Sequence, residues 1–152
     1  MSPSQISHTV LIDRLDWIAK MIQEIENLPT ADFQAFSSDS RNIWTAESCL
    51  RRALEAIFDL SRHILAKGFA ISGDTYKGIA FQLGQTNVTS AEDAHTLKVL
   101  AGYRNRLTHF YNEVSAEELF EVCTRDIGDL KKLHKALRQW AKDNPSMIDG
   151  PV

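Results

Sequence analysis

The sequence predicts an all-α protein, an up-and-down bundle of four main helices with one or two short extra helices. Apolar residues recur at spacings of three and four, capping residues precede these segments, and no stretch alternates apolar and polar residues as a strand does. At 152 residues, 43% of them hydrophobic and 24% charged, the chain is long enough for one domain with a core. We expect this domain at residues 1–142 and a flexible tail at residues 143–152.

The first helix is predicted to begin at Ser2-Pro3-Ser4-Gln5, which offers an N-cap, a proline at the first helical position and a glutamine three residues on. Pro29 ends it. Its apolar positions, typical of a seam that packs on another helix, are Leu11, Leu15, Ile18, Ile22 and Ile25. Residues 30–42 stay open: Asp32–Phe36 fits either a helical turn or a loop, and residues 37–40 supply several cap candidates.

Four further helices follow from the same signals. A long helix is predicted from Ile43 to about Lys67, with Gly68 as its C-terminal stop, and a shorter one from Thr75 to Leu83. Capping boxes at residues 89–92 and 115–118 open the last two helices. The apolar positions of the final helix run from Phe120 to Trp140 and include His134, which fits a hydrogen-bonded core histidine.

Composition limits the classes of function. A net charge of −3 means that nucleic-acid contact requires a local cluster of cations. Arg51, Arg52 and Arg62 could form one, or could be the solvated side of the long helix. The two cysteines, Cys49 and Cys123, lie in apolar helical patterns without CxxC spacing, which favours buried reduced thiols.

No membrane, metal or cofactor signal stands out. No apolar run approaches the roughly 20 residues that span a bilayer, and the N-terminus does not resemble a secretion signal. The histidines outside the segment discussed below lack ligand spacing with cysteines or carboxylates: His8, His63, His95 and His134. We therefore expect a cytoplasmic protein that needs no cofactor or metal.

The segment Arg104–Tyr111, RNRLTHFY, departs from the amphipathic pattern. At about 100° per residue, Arg104 projects from the centre of the apolar stripe, so its guanidinium must be paired or must line a wet groove. Asp59 or Glu55 could pair with it. His109 diverges from Arg104 by about 140° on a regular helix. A two-fold dimer that brings two segments face to face would let the two side chains converge.

An arginine and a histidine together suit phosphate chemistry. Arginine binds phosphate oxygens as a permanent cation, and histidine transfers protons near neutral pH. Metal-free cleavage of RNA would use both, with Asn105 and Tyr111 orienting the substrate or the imidazole. The alternative interpretation is structural: Arg104 pairs with a carboxylate of the long helix, and His109 is a helix-terminal cation.

The segment RNRLTHFY, with residues 97–103 before it, resembles the R-N-x-L-x-H-x-Y signature of HepT-like proteins in the HEPN superfamily. Residues 50–57 with Asp59 resemble the second helix of that family, residues 76–83 its short third helix, and residues 115–133 its last. The resemblance covers roughly residues 8–138. It departs at Phe110, where family members often carry an acidic residue.

The resemblance implies a HEPN-like homodimer in which two motifs face one another across a cleft. It implies a metal-independent endoribonuclease, the toxin of a toxin–antitoxin pair whose antitoxin is a minimal nucleotidyltransferase. Arg104 and His109 take the catalytic roles, Asp59 lines the cleft, and Tyr111 stands where such antitoxins attach nucleotides. Two alternatives stay open: a non-catalytic subunit that binds nucleotide or RNA for a nucleotidyltransferase, and a purely structural module.

Overall fold

The computed structural model describes residues 2–152 as an all-α protein. Its helices are α1 His8–Glu26, α2 Phe33–Ser37, α3 Ser40–Phe69, α4 Tyr76–Gln85, α5 Ala91–His109, α6 Ala116–Glu121 and α7 Ile127–Asp143. A π-helical segment, Val122–Asp126, joins α6 and α7 into one interrupted helix, and short 3-10 turns lie at Tyr111–Glu113 and Pro145–Met147. The bundle of four main helices with short additions is confirmed.

The core lies between α1 and α3, which pack along each other. Helix α7 covers another side of α1, while α4 and α5 cover α3. The whole predicted α1 seam is buried, with each residue at most 5% exposed: Leu11, Leu15, Ile18, Ile22 and Ile25. The four-three spacing therefore identified the packing face correctly, because residues at that spacing share one side of a helix.

The predicted start of α1 is wrong. The N-cap is Ser7, whose hydroxyl accepts a hydrogen bond from the Val10 N–H at 3.2 Å, and residues 2–6 are not helical. Ile6 is fully buried, and the Ser4 N–H donates to the Lys67 carbonyl at 2.6 Å. Burying Ile6 and pairing this backbone with the end of α3 stabilise the non-helical path more than the weak capping signal favours helix.

The predicted stop of α3 at Gly68 is also wrong. The helix continues to Phe69, and Ala70 caps it in the left-handed region at φ 55°. Gly68 is buried inside the helix, where an added Cβ would lie 3.0 Å from Met147 Cε and 3.1 Å from Ile6 Cδ1. Here glycine permits close approach of the two chain ends and does not terminate the helix.

The C-terminal segment lies against the N-terminus as far as Asp149. The Ile6 N–H donates to the Met147 carbonyl at 2.8 Å, and the Asp149 N–H donates to the Ile6 carbonyl at 3.0 Å. Ile148 is 4% exposed. This arrangement differs from the free tail expected after residue 142, because one apolar side chain and a short parallel bridge to Ile6 hold the segment. The limits of the single domain stay a prediction.

The other helix signals are largely confirmed. Asp32 and Asp39 cap α2 and α3, so the open region does contain a short helix. Ser115 caps α6 as predicted, whereas Ser90 caps α5 in place of Thr89.

Both cysteines are free and buried, as expected. Burial raises the pKa of Cys123 to about 12, which keeps that thiol protonated. Within residues 2–152, no helix combines the length and apolar character needed to cross a membrane.

Candidate functional site

The RNRLTHFY segment forms the C-terminal end of α5. The helix is continuous to His109, Phe110 caps it, and Tyr111 begins the 3-10 turn that follows. Leu107 is buried, the Arg104 side chain is 13% exposed, and Tyr111 is 60% exposed. The segment therefore places one inward cation and an exposed aromatic edge at one end of the bundle.

Arg104 is held by three neighbours. Its Nε donates to Glu55 Oε1 on α3 at 2.5 Å, and its Nη1 donates to Asn105 Oδ1 at 3.2 Å. Its guanidinium carbon also lies 4.3 Å from the centre of the Tyr76 ring, within cation–π range. These contacts satisfy a charge that would otherwise be costly at a largely buried position. The pairing with Glu55 is one of the two that the sequence left open.

Tyr76 is a site residue that sequence reasoning missed. It is the first residue of α4, a helix capped by Thr75, and its ring packs edge-on against Phe58 with 4.8 Å between ring centres. Phe58 is itself fully buried in α3. The cap and the buried ring fix the tyrosine against Arg104. An aromatic residue directly after an N-cap was the only signal in the sequence.

Asp59 lies one helical turn from Glu55 but pairs elsewhere. Its carboxylate is 3.9 Å from Arg14 Nε and 3.8 Å from Arg62 Nη1, distances typical of loose, exposed ion pairs. Glu55 and Asp59 share a cleft of about 290 Å³ between α1 and α3, lined also by Asp13, Arg14, Trp17, Arg52 and Ala56. A substrate-orienting role for Asp59 stays a prediction, since Glu55 makes the contact with Arg104.

His109 faces away from Arg104. Because α5 is one uninterrupted helix over both residues, their side chains diverge by about 140°. The imidazole is exposed and contacts the ring of Phe110 edge-on, at 6.5 Å between centres. A single chain thus presents the two residues on different sides of the same helix end.

The end of α5 is anchored from its other side. Arg106 forms a two-pronged ion pair with Glu118 of α6, and its guanidinium lies 5.7 Å from the Tyr103 ring. Burial raises the pKa of the Tyr103 hydroxyl, and the nearby negative charge of Glu118 raises it further. Tyr103 is therefore a packing residue in neutral form, and the exposed Tyr111 is chemically the more accessible tyrosine.

Two of the remaining histidines, His63 and His134, make hydrogen bonds within the fold. Backbone N–H of Ser7 donates to His63 Nε2 at 3.0 Å, and His134 Nε2 lies 3.0 Å from the Leu15 carbonyl. His134 is thus hydrogen-bonded, as the sequence predicts, but half-buried at the edge of the core. Across residues 2–152, no three histidine, cysteine or acidic side chains come together as a metal site would require.

Similar proteins were found at the level of family, sequence and fold. The family model for ribonuclease HepT-like proteins matches residues 18–137. A tRNA nuclease HepT from Aphanizomenon flos-aquae is 25% identical over 119 residues, which cover 77% of this chain and 80% of that protein.

Solved structures share the fold. A tri-AMPylated HEPN toxin of Shewanella oneidensis, in complex with an MNT antitoxin, has a TM-score of 0.77 at 21% identity, covering 86% of this chain and 97% of that one. The cytosolic protein YutE from Bacillus subtilis, described as of unknown function, has a TM-score of 0.76 at 19% identity, covering 93% and 92%. With the family model matching most of its length, the chain belongs to the ribonuclease HepT-like family.

Proposed function

We propose that this protein is a metal-independent endoribonuclease toxin whose active site is composed at a two-fold dimer interface from Arg104 and His109. The observation that carries the proposal is the continuous helix α5, which directs these two side chains to different sides of one helix end. In one chain they diverge, whereas two helix ends facing each other across a two-fold axis allow the arginine of one protomer to meet the histidine of the other.

The local contacts of Arg104 fit a phosphate-binding role. Glu55 and Tyr76 hold the guanidinium in one orientation, and a preorganised cation loses little freedom when it binds phosphate. Glu55 is 31% exposed and borders the open α1–α3 cleft, so the ion pair is accessible from solvent. The ion pair between Arg104 and Glu55, which the structural interpretation expects, is therefore compatible with a catalytic role for Arg104.

The chemistry follows from the two groups. The 2′-oxygen of a ribose bonds to the adjacent phosphorus while the bond from phosphorus to the 5′-oxygen breaks. His109 either takes the proton from the 2′-hydroxyl or gives one to the departing 5′-oxygen. Arg104 stabilises the negative charge that builds on the phosphoryl oxygens. Asn105 helps to orient the arginine, to which it is hydrogen-bonded.

RNA cleavage in EDTA tests the reaction. The wild type is expected to cut RNA in the chelator, and Arg104→Lys and His109→Ala are each expected to lose at least 100-fold in rate. Lysine keeps the charge of Arg104 but not its forked geometry, so the fold is less at risk than with alanine. Arg125→Ala and His8→Ala serve as matched controls. Activity that needs added metal, or that survives both active-site changes, contradicts the proposal.

The same set of variants, with Arg104→Ala added, distinguishes the nuclease from the alternative function, a non-catalytic binding subunit. When RNA binding is measured as well, a non-catalytic subunit that binds RNA for a nucleotidyltransferase would lose binding in Arg104→Ala, keep it in His109→Ala, and cut nothing.

Mixing two inactive variants tests the composite site. In a dimer of Arg104→Ala with His109→Ala, one of the two sites keeps both residues if each site takes them from different chains. An equal mixture is then expected to regain about one quarter of the wild-type rate, since about half of the dimers are mixed and half of their sites are intact. A mixture as inactive as its components shows that each site uses one chain only.

The proposed partner is a minimal nucleotidyltransferase antitoxin, and its proposed target is Tyr111. This tyrosine is 60% exposed on the 3-10 turn directly after α5. Nucleotides attached there would add negative charge beside the cations that bind RNA. Incubation with such an enzyme and ATP is expected to add mass to the wild type and not to Tyr111→Phe. Equal modification of both proteins contradicts the assignment.

An RNA target also agrees with the cytoplasmic location expected from the sequence.

A further inference from the structure

A groove between α4 and α5 combines an exposed aromatic ring with positive charge. This α4–α5 groove has a volume of about 600 Å³ and is lined by Lys77, Gly78, Phe81, Gly84, Gln85, Ala91, Ala94, His95 and Lys98. None of these residues is acidic, although the chain as a whole carries a net charge of −3. Phe81 is 59% exposed. The groove therefore suits a polyanion with flat rings, because the exposed ring can stack on them and the positive charge can pair with the anionic groups.

The shape of the groove follows from small residues on both helices. Gly84 lies so near α5 that an added Cβ would be 3.0 Å from the Ala94 Cβ, which shows how closely the helices approach at this end. Phe81 stays at the surface, and two lysines line the same groove, Lys77 on α4 and Lys98 on α5. An exposed phenylalanine accompanied by cations is typical of a stacking platform for nucleic-acid bases.

The groove continues along one face of α5 toward His109. On α5, the residues His95, Lys98, Gly102, Asn105 and His109 follow one another in steps of three and four, so they share one face within about 80°. Gly102 meets open space, with no heavy atom within 4 Å of an added Cβ among the described residues. Lys77 directly follows Tyr76, the residue stacked on Arg104. On α5 the groove thus shares a face with Asn105 and His109, whereas Arg104 projects from another side of the helix.

We propose that the α4–α5 groove binds single-stranded RNA on one side of the scissile phosphate, with a base stacked on Phe81 and backbone phosphates on Lys77 and Lys98. This inference rests on the proposed function and extends it by naming the form of the substrate. From Lys98 to His109 the helix rises about 16 Å, the span of roughly five stacked nucleotides at about 3.4 Å each. A single strand fits because its bases are free to stack on a side chain.

Binding of a non-cleavable probe tests the groove independently of catalysis. The probe is a fluorescent 2′-O-methyl single strand of about ten nucleotides, whose blocked 2′-oxygen prevents the cleavage proposed above. Fluorescence anisotropy is expected to show a Kd about 5- to 100-fold higher for Phe81→Ala. Lys77→Gln and Lys98→Gln are each expected to reduce the slope of log K against log salt by about 0.7.

Matched controls come from exposed residues on other helices. Trp44→Ala on α3 removes another exposed aromatic ring, and Lys135→Gln on α7 removes another exposed lysine. Both are expected to leave the Kd and the salt slope unchanged. Equal effects of Phe81→Ala and Trp44→Ala overturn the inference, as does tighter binding of an RNA duplex than of the single strand.

Two further outcomes are informative. If Phe81→Ala turns a dimer into a monomer in size-exclusion chromatography with light scattering, the groove is a contact between protomers and the inference is overturned. If the wild type binds the probe through the groove but cuts no RNA, the groove is supported while the proposed nuclease function fails.

Discussion

The ion pair between Glu55 and Arg104 is expected to stabilise the fold more than the surface pairs of this protein do. The perturbation is a double-mutant cycle of Glu55→Gln and Arg104→Gln, which removes one or both charges and leaves a polar side chain at each position. Their side chains are 31% and 13% exposed, and Nε and Oε1 are 2.5 Å apart. Exposed pairs contribute about 0–1 kcal/mol, whereas breaking fully buried ones costs about 3–5 kcal/mol. We expect a coupling free energy of about 1–2 kcal/mol at this intermediate burial.

Urea denaturation measures this coupling. With an m value of about 2 kcal/mol/M, the expected coupling corresponds to a change in midpoint of about 0.5–1 M. All proteins are compared at one concentration, because the unfolding of a dimer depends on concentration. The matched control is Glu121 with Arg125, an i,i+4 pair at 2.8 Å whose side chains are 61% and 73% exposed. Its coupling is expected near 0.3–0.5 kcal/mol.

A coupling no larger than that of the control pair refutes the reasoning. It would mean that burial and the Tyr76 ring add nothing to the interaction of Arg104 with Glu55. The guanidinium would then be stabilised equally well by water or by Asn105, and its orientation would not be fixed before substrate binds.

Three further predictions concern the C-terminal half of α3 and the packing of the two chain ends. Ala70→Gly is expected to raise the free energy of unfolding by about 0.5–1 kcal/mol, because φ is 55° there; an unchanged midpoint in urea would contradict the strain. Burial, and then nearby Lys67, lowers the pKa of His63, so the unfolded state binds the proton more readily. The free energy of unfolding should fall as pH drops below about 6.5, and less so in His63→Gln, as denaturation at several pH values would show. Ile148→Ala should cost about 2 kcal/mol in thermal or urea unfolding, with Val152→Ala as the neutral control.

Most of the fold could be predicted from local sequence. The apolar spacing of α1 marks where that helix packs, and the cap at Ser115 marks where α6 begins, because these signals act within one or two turns. The errors occurred where distant residues compete with local ones. Gly68 resembles a helix stop but lies inside α3, where an added Cβ would press against Ile6 and Met147, which are far away in sequence.

The candidate site divides in the same way. The sequence identified Arg104 as an inward charge and named Glu55 as one of two partners, since both follow from helical periodicity. It could not choose between Glu55 and Asp59, which lie one turn apart on the same helix. It also missed Tyr76, because nothing local to α4 shows that its first residue stacks on an arginine of α5.

By itself, the sequence determined the helical class, the seams of the bundle and the position of the RNRLTHFY segment at a helix end. Periodicity and capping depend on residues only a few positions apart, so both can be recognised in the sequence without knowledge of the fold. Only the tertiary structure decided which carboxylate meets Arg104, how the two chain ends lie together and where Phe81 and the lysines form a groove. Those outcomes depend on side chains that are distant along the chain and become neighbours only when the helices pack.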